Sequence, residues 1–154
     1  MAEIHKCTLV PARYFEEGDA RCILSDLYPL TESETVSFVE IPAYDAVLVY
    51  VGQDSLQPVL YDLITSLERC SEYNKILFHF DGKAVVDIAI AQGGRLLLAN
   101  SYPAADFTTA EYYLFLAVKS LQLNPEVSTV VSASALSPEE EMSLYRYFKA
   151  VEQL

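Results

Sequence analysis

The side chains best suited to chemistry stand close together near the middle of the chain, at Asp81, Lys83 and Asp87. Aspartate carboxylates can ligate Mg²⁺ or position a water molecule, and a lysine can contact a phosphate group. Gly82 lies between the first two, and glycine allows backbone amides to close around an anion. An ordinary structural role fits the same residues, because Asp-Gly is a common hairpin turn and a strand aspartate can simply hydrogen-bond a neighbouring loop.

Other catalytic or metal-binding patterns are weak in this sequence. Cys7, Cys22 and Cys70 are odd in number and irregularly spaced, which predicts small buried residues rather than a disulfide framework or a Cys-x-x-Cys site. His5 and His79 each lack the partner at i+4 or the nearby cysteine that a zinc site uses. Neither a Gly-x-Ser-x-Gly segment nor a histidine-paired nucleophile can be read from the sequence.

Composition excludes some classes of function. The chain of 154 residues carries 22 acidic and 10 basic side chains, a formal net charge of -12, and has no run of Lys and Arg. Nucleic-acid binding relies on such clusters, so we expect no nucleic-acid partner. We also expect a soluble, cytoplasmic protein without a membrane span, because the sequence has no apolar stretch of about 18 residues and no secretory signal pattern.

The candidate residues fall in a stretch that predicts an antiparallel meander of three strands. Lys75 to Phe80 is rich in β-formers, and Asp81-Gly82 predicts a two-residue hairpin turn with both φ angles positive. Residues 83–91 predict a second strand, and the turn at 92–95 leads to a third strand over 96–100. The second strand alternates, with Val86, Ile88 and Ile90 on one face and Asp87, Ala89 and Ala91 on the other.

A helix, a strand and another helix are predicted after the meander. Thr108-Thr109-Ala110-Glu111 predicts a capping box that opens the first helix. Residues 128–135 predict one buried strand, and Ser137 to Glu140 predicts a second capping box with Pro138 at the first helical position. That final helix is expected to run from Pro138 to about Glu152. The apolar stripe of the first helix consists of Ala110, Tyr113, Leu114, Ala117, Val118 and Leu121.

The front of the chain predicts a smaller α/β lobe. Its expected elements are strands at 4–11, 36–41 and 46–52, a short helix or connector between 11 and 24, and a surface loop at 26–34. Asp54-Ser55 can cap a helix whose apolar positions run from Leu56 to Leu67. Residues 71–74 read as a linker, which divides the chain into lobes 1–74 and 75–154.

The order strand, strand, strand, helix, strand, helix from Lys75 onward resembles the ribonuclease-H-like unit that is duplicated in actin-like, sugar-kinase-like and Hsp70-like ATPases. Phe80 to Ile90 (FDGKAVVDIAI), followed by Gly94 to Leu97, looks like the second phosphate loop and hairpin of bacterial actin homologues. The resemblance implies a mixed α/β (α+β) fold of the ribonuclease-H-like, actin-like ATPase type.

Several segments more narrowly resemble an uncharacterised bacterial family known as domain of unknown function 3822. They are Leu97 to Tyr102 (LLANSY), Asp106-Phe107, Tyr112-Tyr113 and Leu121 to Glu126 (LQLNPE), with Thr8 to Pro11 (TLVP) near the start. Members look like actin-type ATPases in fold and have no established activity. They are usually longer, so we expect the N-terminal segment that carries the first phosphate loop to be absent here.

Departures from the ATPase pattern bear on function. Only Gly82 remains where active proteins have several glycines, and Val85-Val86 replaces threonine hydroxyls. Ser132-Ala133-Ser134 stands where actin-like proteins usually present a Gly-Gly turn toward the adenosine. The resemblance implies that ATP with magnesium, if it binds at all, would contact Asp81, Gly82, Lys83, Asp87, Ser132 and Ser134.

Three hypotheses of function remain. The favoured one is a non-catalytic interaction or scaffold module on a degenerate actin-like fold, with no catalytic residue, metal or cofactor and with an unidentified protein partner. The alternative is an actin-like switch or ATPase that binds ATP with magnesium. A ribonuclease-H-type nuclease needs several carboxylates around two metals, and only Asp81 and Glu111 are suggestive. The sequence leans against an enzyme and carries no signal for the oligomeric state.

Overall fold

The structure is a computed structural model that describes residues 6–52 and 58–154. The described part contains two β-sheets and four α-helices, so the mixed α/β fold class is confirmed. The helices are α1 (Ala20–Ser25), α2 (Val59–Ser66), α3 (Phe107–Ser120) and α4 (Pro138–Tyr145). The predicted cap at Asp54-Ser55 lies outside the described residues.

The first sheet has three antiparallel strands in the order β1-β3-β2. They are β1 (Cys7–Pro11), β2 (Val36–Ile41) and β3 (Ala46–Val51). The central strand β3 is buried on both faces, since Val47 and Val49 pack with α1 while Leu48 and Tyr50 pack toward the second sheet. The two strands predicted around Pro42 are therefore confirmed.

The second sheet has five strands in the order β6-β5-β4-β7-β8. They are β4 (Asn74–Phe80), β5 (Val85–Gln92), β6 (Arg95–Pro103), β7 (Thr129–Ser132) and β8 (Ala150–Gln153). The antiparallel meander β4-β5-β6 is confirmed, with β6 longer than predicted, whereas β7 and β8 pair in parallel.

Helices cover both faces of this sheet. On one face, α3 and α4 pack against Val86, Ile88 and Ile90, as the predicted alternation of β5 requires. On the other face, α2 packs against Ala89 and Ala91. Because α2 precedes residue 74 and packs on strands that follow it, hydrophobic contacts cross the predicted boundary between the lobes 1–74 and 75–154. That division stays a prediction.

The cap predicted for α3 is wrong. Asp106, with extended backbone, is the N-cap residue, and its carboxylate accepts a hydrogen bond from the Thr109 amide at 2.8 Å. Glu111 instead accepts a hydrogen bond from the Ser143 hydroxyl of α4 at 3.0 Å. The second capping box is confirmed, because the Ser137 hydroxyl and the Glu140 carboxylate each accept the other residue's amide hydrogen.

The prediction of one final helix to Glu152 is also wrong. Helix α4 ends at Tyr145, and the chain then forms β8 beside β7. Leu144, Phe148 and Val151 have helical spacing and are all buried, so the apolar pattern fits a helix as well as the observed structure. The choice between a longer helix and a strand is decided by the pairing of β8 with β7, which lies about twenty residues earlier in the chain.

The cysteines only partly follow the prediction. Cys7 is buried, Cys70 is half-buried, and Cys22 is exposed. Cys22 is exposed because α1 turns Ala20 and Leu24 toward β3 and therefore places the residue between them on another side of the helix.

Candidate functional site

The turn between β4 and β5 is longer than predicted. It runs from Asp81 to Ala84, and of these residues only Gly82 has a positive φ angle, 79°. The predicted two-residue hairpin with two positive φ angles is therefore wrong. The backbone instead curls around the Asp81 side chain, whose Oδ1 accepts hydrogen bonds from the amides of Lys83, Ala84 and Val85 at 2.8, 2.8 and 3.0 Å.

These hydrogen bonds favour the ionised form of Asp81. Burial by itself would raise the pKa of its carboxyl, but the amides of Ala84, Val85 and Lys83, helped by nearby His79, outweigh burial and lower the pKa. The carboxylate is thus ionised at neutral pH. It is itself the anion around which the amides of the turn converge.

The turn after β7 is also closed by the protein's own groups. The Ser132 hydroxyl donates to the Ser134 carbonyl at 2.6 Å, and the Ser134 hydroxyl accepts from the Phe80 amide at 3.1 Å. The Gln153 side-chain amide donates to the carbonyls of both serines, and the Leu154 amide donates to that of Ser132. The turn therefore lies beside the end of β4, and the segment at the end of β8 satisfies its carbonyls.

Asp87 is placed differently from the two turns. It is only 2% exposed, lies on the α2 face of the second sheet and accepts a hydrogen bond from the Ser101 hydroxyl. Burial and then the charge of Asp87 raise the pKa of Cys7 to about 12, so Cys7 remains a neutral thiol. Ser132 follows Val131, which packs with α2, and therefore faces the opposite side of the sheet from Asp87.

The structure thus brings together only part of the predicted nucleotide set. Asp81, Gly82, Lys83, Ser132 and Ser134 lie at the same end of the second sheet, where β4 and β7 end. Asp87 and Ser132 occupy opposite faces of that sheet. Gln153 is not among the predicted site residues, because the apolar pattern of the segment that forms β8 predicts a helix.

Three amides of the β4–β5 turn are not free to bind the phosphates of ATP. The amides that a phosphate would need already hold the Asp81 carboxylate. Within residues 6–52 and 58–154, no cluster of three or more His, Cys, Asp or Glu side chains could hold a metal ion by itself, whereas Mg²⁺ bound to a nucleotide needs only one or two carboxylates. Glu111, the second suggestive residue of the nuclease hypothesis, binds Ser143 and so links α3 to α4. The nucleotide assignment itself stays a prediction.

Three cavities bordered by described residues do not include the residues of these turns in their linings. One of about 470 Å³ separates the edge strands β1 and β6, and its lining includes residues 8–11 and 96–100. A second, of about 140 Å³, lies between α2 and β8, and a third, of about 120 Å³, lies where α3 and α4 end. Residues 81–84 and 132–134 line none of the three.

No helix in the part of the chain that the structure describes is both long and apolar enough to cross a bilayer.

Comparison with known proteins agrees with this architecture. A crystal structure from Bacteroides thetaiotaomicron, described as a protein with actin-like ATPase fold and unknown function, matches with a TM-score of 0.79 and 23% sequence identity. The match covers 97% of this chain and 65% of that chain, so this chain spans just under two thirds of the length of that protein. At this identity the likeness shows the fold alone, and it confirms the predicted actin-like ATPase fold. A search of curated proteins gave no match. A family model described as protein of unknown function (DUF3822) matches residues 1–151, and the chain belongs to that family.

Proposed function

We propose that this protein is a non-catalytic interaction module built on an actin-like fold. The observation that carries the proposal is the hydrogen bonding of the Asp81 carboxylate. Its Oδ1 accepts three consecutive amides of the β4–β5 turn, which are the donors that a phosphate oxygen would need. A carboxylate in that position competes with a bound phosphate for the same hydrogen bonds and repels it electrostatically.

The turn after β7 supports the same proposal. Gln153 and Leu154 donate hydrogen bonds to the carbonyls of the Ser132–Ser134 turn, so a ligand would have to displace the segment at the end of β8 to reach them. By contrast, the apolar side chains of β5 are packed on both faces. The hydrophobic core is thus kept, while the two turns that would bind a nucleotide are occupied by the protein's own groups. We expect this combination of a fold that serves as a binding surface.

We further propose that the protein is a bacterial, cytoplasmic protein whose partner is another protein. Cys7, Cys22 and Cys70 are all free thiols, as is usual in a reducing compartment. The solved structure that it resembles comes from a bacterium. The formal net charge of -12 disfavours a nucleic-acid partner.

Isothermal titration calorimetry with ATP and Mg²⁺ tests the absence of nucleotide binding. We expect no saturable heat for the unmodified protein, since the amides of Lys83, Ala84 and Val85 are already bonded to the Asp81 carboxylate. Asp81→Asn serves as the matched variant, because it keeps an oxygen acceptor in the turn and removes the charge. Micromolar ATP binding by the unmodified protein that is lost in Asp81→Ala would show that Asp81 belongs to a nucleotide site and would overturn the proposal.

A further inference from the structure

The outer side of α3 and α4 carries a basic and aromatic concavity that the proposed function does not yet use. It has a volume of about 120 Å³ and lies where both helices end. Lys119 and Arg146 supply its positive charge, Phe115 and Tyr147 supply its aromatic surface, and residues 124–126 form one wall. We call this site the basic concavity.

The aromatic surface of the basic concavity is formed by two rings in contact. The ring centroids of Phe115 and Tyr147 are 4.9 Å apart at an interplanar angle of 52°. The Lys119 ammonium lies 5.5 Å from the Phe115 ring centroid, a cation–π distance. The positive charge is thus held beside an apolar surface. A ligand can therefore pair an acidic group with the cation while an adjacent apolar group packs on a ring.

The two cations of the basic concavity have no acidic partner within the described ranges 6–52 and 58–154. Neither Lys119 nor Arg146 forms an ion pair there, although Glu126 lines the same concavity. Lys119 and Arg146 are both exposed to solvent. An incoming carboxylate could therefore reach them without first breaking an intramolecular salt bridge.

Backbone hydrogen bonds fix the walls of the basic concavity. The Lys149 amide donates to the carbonyls of Pro125 and Ser128 at 3.2 and 3.0 Å, which ties the segment after α4 to the segment after α3. The Tyr147 amide donates to the Leu144 carbonyl at 3.0 Å. A ligand would thus meet a surface whose backbone is already ordered, which lowers the entropic cost of binding.

Basic side chains lie where α3 and α4 end, although α4 itself begins with Glu139, Glu140 and Glu141. Lys119, Arg146 and Lys149 are three of the ten basic side chains of the protein, and Glu126 is the acidic side chain that lines the same concavity. Large apolar side chains are exposed on the same helices, including Tyr112 at 60% and Met142 at 68%. Tyrosine and arginine are enriched at the energetic centres of protein interfaces.

We infer that the basic concavity binds an acidic segment of a partner protein. A carboxylate of that segment pairs with Lys119 and Arg146, and an adjacent apolar side chain packs on Phe115 and Tyr147. Charge complementarity selects this occupant, because Lys119 and Arg146 are exposed and can pair with a carboxylate, whereas they would repel a basic segment. The inference rests on the proposed function and names the surface and the partner chemistry for it.

NMR titration of the full chain with two synthetic peptides tests the inference. One peptide alternates glutamate with phenylalanine, and its counterpart alternates lysine with phenylalanine. We expect saturable shifts from the acidic peptide at Phe115, Lys119 and Tyr147, and none there from the lysine peptide. The result is diagnostic because the net charge of the protein alone would favour the lysine peptide.

Two double variants of equal charge loss complete the experiment. Lys119→Ala with Arg146→Ala should weaken binding of the acidic peptide at least about tenfold, as expected when two central contacts are removed. Arg13→Ala with Arg95→Ala removes the same charge from exposed positions elsewhere and should leave the affinity nearly unchanged. Equal weakening by both pairs, shifts centred elsewhere, no saturable binding, or stronger binding of a single-stranded oligonucleotide at the basic concavity would each overturn the inference.

The ATP titration and the peptide titration report on different sites. If ATP binds at the Asp81 turn and the acidic peptide binds at the basic concavity, the proposed function is wrong but the concavity is still a binding surface. If neither ligand binds, the proposal that the protein does not bind nucleotides stands, and the concavity is not the site of the partner.

Discussion

Replacing Asp81 with alanine removes the shared acceptor of three backbone hydrogen bonds in the β4–β5 turn. A net contribution of about 0.5–1.5 kcal/mol for each would total about 1.5–4.5 kcal/mol. The turn is partly exposed, so water can replace some of these bonds, and we expect a loss of about 2 kcal/mol. Asp81→Asn keeps the acceptor and loses the charge, so we expect about half that loss.

Urea unfolding followed by circular dichroism measures these differences in the free energy of unfolding. The pH dependence supplies a second check. Because the pKa of Asp81 is lower in the folded protein than its ordinary value of 3.8, its ionic contribution is fully present above that value and is lost as the pH falls through the folded pKa. The difference between the unmodified protein and Asp81→Ala should be constant from pH 7 to 5 and shrink below about pH 4. A loss under about 0.5 kcal/mol at pH 7, or an undiminished difference in strong acid, would refute the role assigned to this carboxylate.

Three further outcomes follow from the backbone, the caps and the burial of thiols. Gly82→Ala should cost about 1 kcal/mol in urea unfolding because its φ angle is +79°, whereas Gly94→Ala, with open space around it and no positive φ, should be nearly neutral. Asp106→Ala should cost about 1 kcal/mol by the same assay, since it removes the N-cap of α3, and an unchanged stability would contradict that cap. Cys7 should resist a thiol reagent at pH 8 in the folded protein, because burial and Asp87 raise its pKa to about 12, while exposed Cys22 reacts readily, and equal rates by absorbance would contradict the burial.

Local patterns predicted much of the fold correctly. The alternation of β5 identified the faces that α2 and α3 cover, because side chains in a strand alternate whatever else the chain does. The capping box at Ser137 and Glu140 was equally readable, since both partners lie within one helical turn. Such features depend on neighbours only a few residues away.

Predictions from local sequence patterns were wrong where two different structures fit the same pattern equally well. Leu144, Phe148 and Val151 have helical spacing, yet the last of them lies in β8. For α3, both Asp106 and Thr108 are cap-forming residue types, and the position of the first helical residue selected the aspartate. In each case spacing along the chain left the choice open.

The sequence by itself determined the meander and the order of the elements from β4 to α4, because hydrophobic periodicity is a local property. Its resemblance to actin-like ATPases predicted the fold. Only the tertiary structure decided the state of the candidate site. Parallel pairing of β7 and β8 places Gln153 on the carbonyls of the Ser132–Ser134 turn. Pairing of β4 with both β5 and β7 places Asp87 and Ser132 on opposite faces of one sheet. These arrangements join groups that are far apart in sequence, and the pairing of strands and the packing of helices on them bring such groups together.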